Sequence, residues 1–127
     1  MQNAAGDRES DDVGPLIEIV NPFRWELGHV AFFYDLFLLR VLGRAEFLMA
    51  GAENLYDSFT VDHDERWSLP LPSRVLTLDC MRRVSAAVLE RLASREPGAE
   101  ETYLYLLAVL HEDMHGEAFT YMRQTLE

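Results

Sequence analysis

Apolar residues recur every three to four positions along three long segments of this chain, and no two-residue alternation runs far enough to make a strand. Residues that start and stop helices punctuate these segments. Asn21 is suited to a cap and Pro22 to the first helical position, so a helix is predicted over residues 22–42, with Gly43 ending it. Leu69-Pro70-Leu71-Pro72 is extended, because each proline forces its predecessor out of the helical region. Ser73 or Thr77 then caps a second helix, along which Met81, Val84, Val88 and Leu92 recur until Pro97-Gly98 stops it near Arg95. A third helix begins near Glu100. Its inward stripe is Leu104, Leu107, Ala108, His111, His115, Ala118 and Met122, with Asp113, Glu117, Thr120 and Gln124 toward solvent. Between the first two, a turn or two of helix is expected over residues 46–50, followed by a loop through Asp57, Asp62, His63 and Asp64.

The fold class expected is therefore all-α. A chain of 127 residues with 49% apolar and 26% charged content suits one small domain around one core. Residues 1–20 hold Asp7, Glu9, Asp11 and Asp12 and too little apolar surface to offset the entropy of ordering, so a disordered or extended tail is expected there, with the domain over residues 21–127. The formal charge of −11 opposes nucleic acid and anionic membranes as partners. The most apolar stretch, residues 30–42, is interrupted by Asp35 and Arg40 and falls short of the roughly 20 residues that cross a bilayer. The single cysteine, Cys80, excludes an internal disulfide and reads as a core thiol, and no leader pattern opens the chain, which together predict a cytoplasmic protein.

Three of the four histidines sit in apolar stripes. His111 and His115 are four residues apart, which stacks them on one helix face within reach of a single ion, although two packing histidines would have the same spacing. His29 lies on the inward side of its own helix among Trp25, Phe32, Phe33 and Leu36. Three inward imidazoles are costly unless their nitrogens find partners, and one shared metal satisfies all three. Three neutral imidazoles leave coordination positions open, the pattern of a catalytic rather than a structural site, and they suit zinc, iron, nickel or copper. His63, among Asp62, Asp64 and Glu65, reads as a solvated loop residue. His111-Glu112-Asp113-Met114-His115 also spells H-E-x-x-H, in which a zinc protease uses the glutamate as general base. Such enzymes usually draw a third ligand from downstream, and no histidine follows His115 here.

Three blocks together resemble the N-terminal DinB-like domain of the ergothioneine-type sulfoxide synthases, or hercynine oxygenases. They are Asn21-Pro22-Phe23-Arg24-Trp25-Glu26-Leu27-Gly28-His29-Val30-Ala31-Phe32-Phe33, the stretch from Leu55-Tyr56-Asp57-Ser58 to Leu69-Pro70-Leu71-Pro72-Ser73-Arg74, and His111-Glu112-Asp113-Met114-His115-Gly116-Glu117-Ala118. The resemblance implies an up-and-down helical bundle and ferrous iron, Fe(II), on His29, His111 and His115, with zinc or nickel as other candidates. It also implies a reaction in which dioxygen couples a small-molecule thiol to trimethylhistidine, giving a carbon–sulfur bond and a sulfoxide. Arg74 falls where members bind a carboxylate of the thiol substrate. Met114 stands where some members carry a substrate-contacting glutamine, and a related branch, the selenoneine synthases, uses selenium donors.

Two departures from that pattern set the remaining expectations. Family members place a helix before the N-P-x-x-W block and a lectin-like domain after the helical one, and neither is evident here. A bundle lacking the first of its four helices should expose an apolar flank around Trp25, Phe33 and Phe37, which predicts a homodimer or a lectin-like partner domain. The isolated chain is expected to bind metal but to turn over poorly. Two other functions fit the same residues: a stand-alone DinB-like metal-dependent thiol transferase, and a non-catalytic metal-binding or association module.

Overall fold

A computed structural model describes residues 14–18, 20–43 and 46–126. The protein is all-α, and no strand occurs among the described residues. Helix α1 spans Phe23–Tyr34 and runs directly into a π-helical turn, Asp35–Arg40. A one-turn α2 covers Ala52–Tyr56, a 3-10 helix covers His63–Trp67, and two long helices follow, α3 (Arg74–Ser94) and α4 (Ala99–Leu126). Helix α1 is the central element, packing on α3 most extensively and also on α2 and α4. With 28 residues α4 is about 42 Å long at 1.5 Å per residue.

The predicted helices form close to their expected limits, and their ends show why. Ser73 Oγ accepts from the Leu76 amide at 3.3 Å, capping α3, and the chain turns extended at Arg95 just ahead of Pro97. Asn21 does not cap α1. Pro22 holds the N-cap position, and the Asn21 side-chain amide donates instead to Glu26 Oε2 at 2.9 Å. At the other end the ladder widens, Val41 N–H donating to Leu36 O at 3.0 Å, five residues back. Beside it the buried Asp35 accepts from the Leu48 amide at 2.8 Å. That long-range bond ties down residues 46–50, which are bends and turns rather than the expected helix. The helical turn starts after Gly51, whose φ of 76° suits a residue without a side chain.

Three core clusters hold the bundle. Leu38 and Leu39 of the π turn join Val84 and Val88 of α3 and Ala108 of α4, while Trp25, Phe32, Ala52 and Tyr56 form a second group. The third reaches back ahead of α1: Val20, 2% exposed, packs with Ala118 and Met122, flanked by Ile17 and Trp67. Residues 1–13 of the expected tail lie outside the described residues. Trp25 is not on an uncovered flank. It is 1% exposed, its indole N–H donates to Leu55 O at 2.7 Å, and the Arg66 guanidinium lies 4.0 Å over its ring. Among the described residues no helix precedes α1, and large apolar side chains are exposed elsewhere, on α3 (Leu89, Leu92) and α4 (Tyr103, Leu106, Leu110, Met114). No helix is long and apolar enough to cross a membrane among the described residues.

Candidate metal centre

His29 is carried inward by α1, and His111 and His115 by one face of α4, and their ring nitrogens gather into one group within 4.8 Å of one another. His111 Nε2 and His115 Nε2 are 3.0 Å apart. Two nitrogens bound at about 2.1 Å to one ion and at right angles are separated by about 3.0 Å, so this pair already stands at ligand spacing. The rings pack edge to face, His29 on His115 with centroids 4.8 Å apart and His111 on His115 at 4.3 Å. His29 stacks on Trp25 at 4.7 Å and His111 on Phe33 at 3.7 Å.

The far side of each ring is treated differently. His29 Nδ1 donates to the Tyr56 carbonyl at 2.7 Å, which leaves Nε2 unprotonated and turned toward the group. His115 Nδ1 bonds the carboxylate of Glu26, a residue with no exposed surface whose other oxygen is the one held by Asn21. His111 Nδ1 is buried and meets no partner among the described residues. Burial lowers the His29 pKa, opposed by its bond to Tyr56, and burial followed by repulsion from His115 and His29 takes His111 down to about 3. Both are neutral near pH 7. Lone pairs on neutral imidazoles are what a divalent ion requires, and His29 and His115 already commit Nδ1 to acceptors and keep Nε2 for an ion, so the donor set fits a bound metal.

The histidines open into a cavity of about 560 Å³. Its walls are aromatic and aliphatic, chiefly Trp25, Phe33, Phe37, Leu107 and Met114, with Asn21, Asp57, Ser58 and Arg66 as the polar groups. Arg74 opens α3 and is not among the lining residues, whereas Arg66 is. Arg66 donates to Asn21 Oδ1 at 2.8 Å and to Val61 O at 3.3 Å. Glu112 does not face the histidines. It accepts a hydrogen bond from the Tyr34 hydroxyl and lines a separate groove of about 230 Å³ beside Val30, Met81 and Val88. Burial, then that bond, raises the Tyr34 pKa. A general base for a zinc protease would have to share the metal's cavity, so the geometry speaks against that reading of H-E-x-x-H.

His63 is not a solvated loop residue. Its Nε2 donates to Val20 O at 2.6 Å, and its Nδ1 lies 3.0 Å from Asp64 Oδ1. It pins the 3-10 helix to the segment before α1 and takes no part in the cavity with the other three. Cys80 is buried on α3 as expected, and burial raises its pKa. Glu26 and Arg66 are the residues that sequence reasoning missed. Glu26 was open to discovery, since it precedes His29 by three positions and so shares its helix face.

Compared with protein-family models and with curated proteins, the chain finds no match.

Proposed function

We propose that the chain is the metal-binding helical domain of a cytoplasmic non-haem iron oxygenase that couples a thiol, or a selenium donor, to trimethylhistidine. The observation that supports this most directly is the convergence of His29, His111 and His115 on one aromatic-walled cavity, in the ligand set that the resemblance implies. Ferrous iron held there would supply the activation of dioxygen, which accepts four electrons as the S–H and imidazole C–H bonds are lost, the C–S and S–O bonds form and one water is released.

The chain's own groups have narrower tasks. The three imidazoles bind the ion and leave positions for substrate. Phe33 and Phe37 line the cavity, exclude water and offer apolar ring surface to an imidazole, and the same two rings with Asp57 suit a trimethylammonium group. Arg66 is the guanidinium nearest these tasks, while a carboxylate held by Arg74 would have to extend beyond the cavity. The cavity is open on the side of Phe59, which is 98% exposed, so a covering domain or second chain would complete it.

Metal analysis and oxygen consumption test the proposal together. The purified chain should retain one divalent ion, with iron supporting coupling of trimethylhistidine to cysteine or γ-glutamylcysteine once a lectin-like domain is supplied, and little turnover without it. Metal content unchanged by His29→Ala would remove the site. A second reading, a zinc- or nickel-dependent thiol transferase, is favoured by the same ligands' lack of metal preference. Zinc or nickel as the retained ion, with thiol transfer and no oxygen uptake, would establish it.

A further inference from the structure

The three imidazoles are unequal in what stands behind them. His115 has an anion, the buried Glu26 carboxylate; His29 has a neutral acceptor, the Tyr56 carbonyl; His111 has no acceptor, only the face of Phe33, stacked at 11°. His111 and His115 share α4, so the contrast comes from what each meets across the interface with α1. Both oxygens of Glu26 are engaged, one by His115 and one by Asn21, so the carboxylate backs a ligand rather than acting as one.

A ligating histidine usually gives its second ring N–H to an acceptor, which fixes the tautomer and strengthens the donor nitrogen, and a charged acceptor does this more strongly than a neutral one. We propose that Glu26 is a positioning residue of the metal centre, acting through His115, and that the ligands are graded: His115 anchors the ion, His29 follows, and His111 is released first. This rests on the three histidines being ligands. His111 can offer Nε2 to an ion only by carrying its proton on Nδ1, where nothing accepts it, and a buried donor without a partner is penalised. In the absence of an ion its Nε2 proton can point at His115 Nε2, 3.0 Å away, so binding gives up that hydrogen bond and leaves the proton on Nδ1 without an acceptor. At His115 the reverse holds. Its Nδ1–H is already committed to Glu26, and Nε2 needs no proton moved before it binds. The Glu26 carboxylate, itself fully buried, would also place one negative charge a ring's width from the ion and balance part of a dication.

The test uses the full chain and cobalt(II), whose absorption bands report ligand field, with affinity read by competition against a chelator. Wild type should take up one cobalt per chain. Glu26→Gln, which keeps shape and removes charge, should bind about 10-fold more weakly with shifted bands, and Glu26→Leu should approach 100-fold. His111→Ala should weaken binding least and His115→Ala most. Nitrogen-15 imidazole spectra of the metal-free wild type add a readout that no variant can compromise, and should place the His115 proton on Nδ1. A folded Glu26→Gln chain with wild-type affinity and unchanged bands would overturn the role of Glu26, as would a His115 proton on Nε2. A reversed order of the two alanine variants would overturn the grading. No cobalt uptake by wild type would bring down the metal reading itself, and this proposal with it.

Discussion

The ring of Tyr56 fills the space that a side chain at position 28 would need: a Cβ on Gly28 would lie 2.2 Å from Tyr56 Cε1 and Cζ. Tyr56 is fully buried, burial raises its pKa to about 12, and its carbonyl anchors His29, the residue after Gly28. Gly28→Ala must therefore move Tyr56 and loosen His29 together. Overpacking of this kind costs about 1–3 kcal/mol. Urea unfolding should show that loss and a cobalt titration should show weaker binding. Wild-type values in both would mean that the chain around α2 gives way freely.

Acid should weaken the metal-free fold through its buried imidazoles. The pKa of His111 falls from 6.5 in the unfolded chain to about 3 in the folded one, so between those values the unfolded chain binds more protons and stability declines as pH falls. His29, also lowered by burial, acts in the same direction. With a chelator present, the urea midpoint should drop from pH 7 to pH 5, and by less in His111→Ala. An equal drop in both chains would show that other groups control the acid limb.

His63→Ala should separate structure from metal. The bond to Val20 O links the 3-10 helix to the segment that covers Met122, and losing a buried hydrogen bond costs about 1 kcal/mol. Thermal unfolding should register that loss while metal content by mass spectrometry stays at the wild-type value. A fall in metal content would place His63 in the site after all.

Exposed apolar residues at the cavity and elsewhere on α4 predict association. Phe59 is 98% exposed and Leu110 66%, and burying such surface contributes about 25 cal/mol per Å². A two-fold dimer is the simplest closed arrangement. Sedimentation should detect it at micromolar concentrations, and Phe59→Ser with Leu110→Glu should return a monomer of unchanged helicity. A wild-type monomer under those conditions would count against self-association.

What could be read from the sequence was mostly local. Prolines 22, 72 and 97 and the Ser73 cap set helix limits that depend on neighbours in the chain, and the inward faces of α1 and α4 follow from period alone. What escaped depends on partners far away in sequence. The bond from the Leu48 amide to Asp35 overrides the helical preference of residues 46–50, and the one from His63 to Val20 spans 43 positions. Glu26 shares a helix face with His29, three positions on, and near the start of a helix an acid also suits the macrodipole. Only the arrival of His115 gives it another role. Arg66 belongs to a segment without periodicity, so no pattern pointed its guanidinium at Trp25.

Glu26 and His115 stand 89 positions apart, one in the first turn of α1 and the other well along α4. In a nascent chain His29 emerges 82 positions before His111 and 86 before His115. The three histidines can therefore meet only after α4 has been made, when α1, α2 and α3 are already available to fold around them. An ion held by them would act as a clasp between α1 and α4. Its removal would loosen both ends of the bundle at once, so hydrogen exchange in metal-free protein should quicken in α1 and α4 together and leave the middle of α3 the most protected.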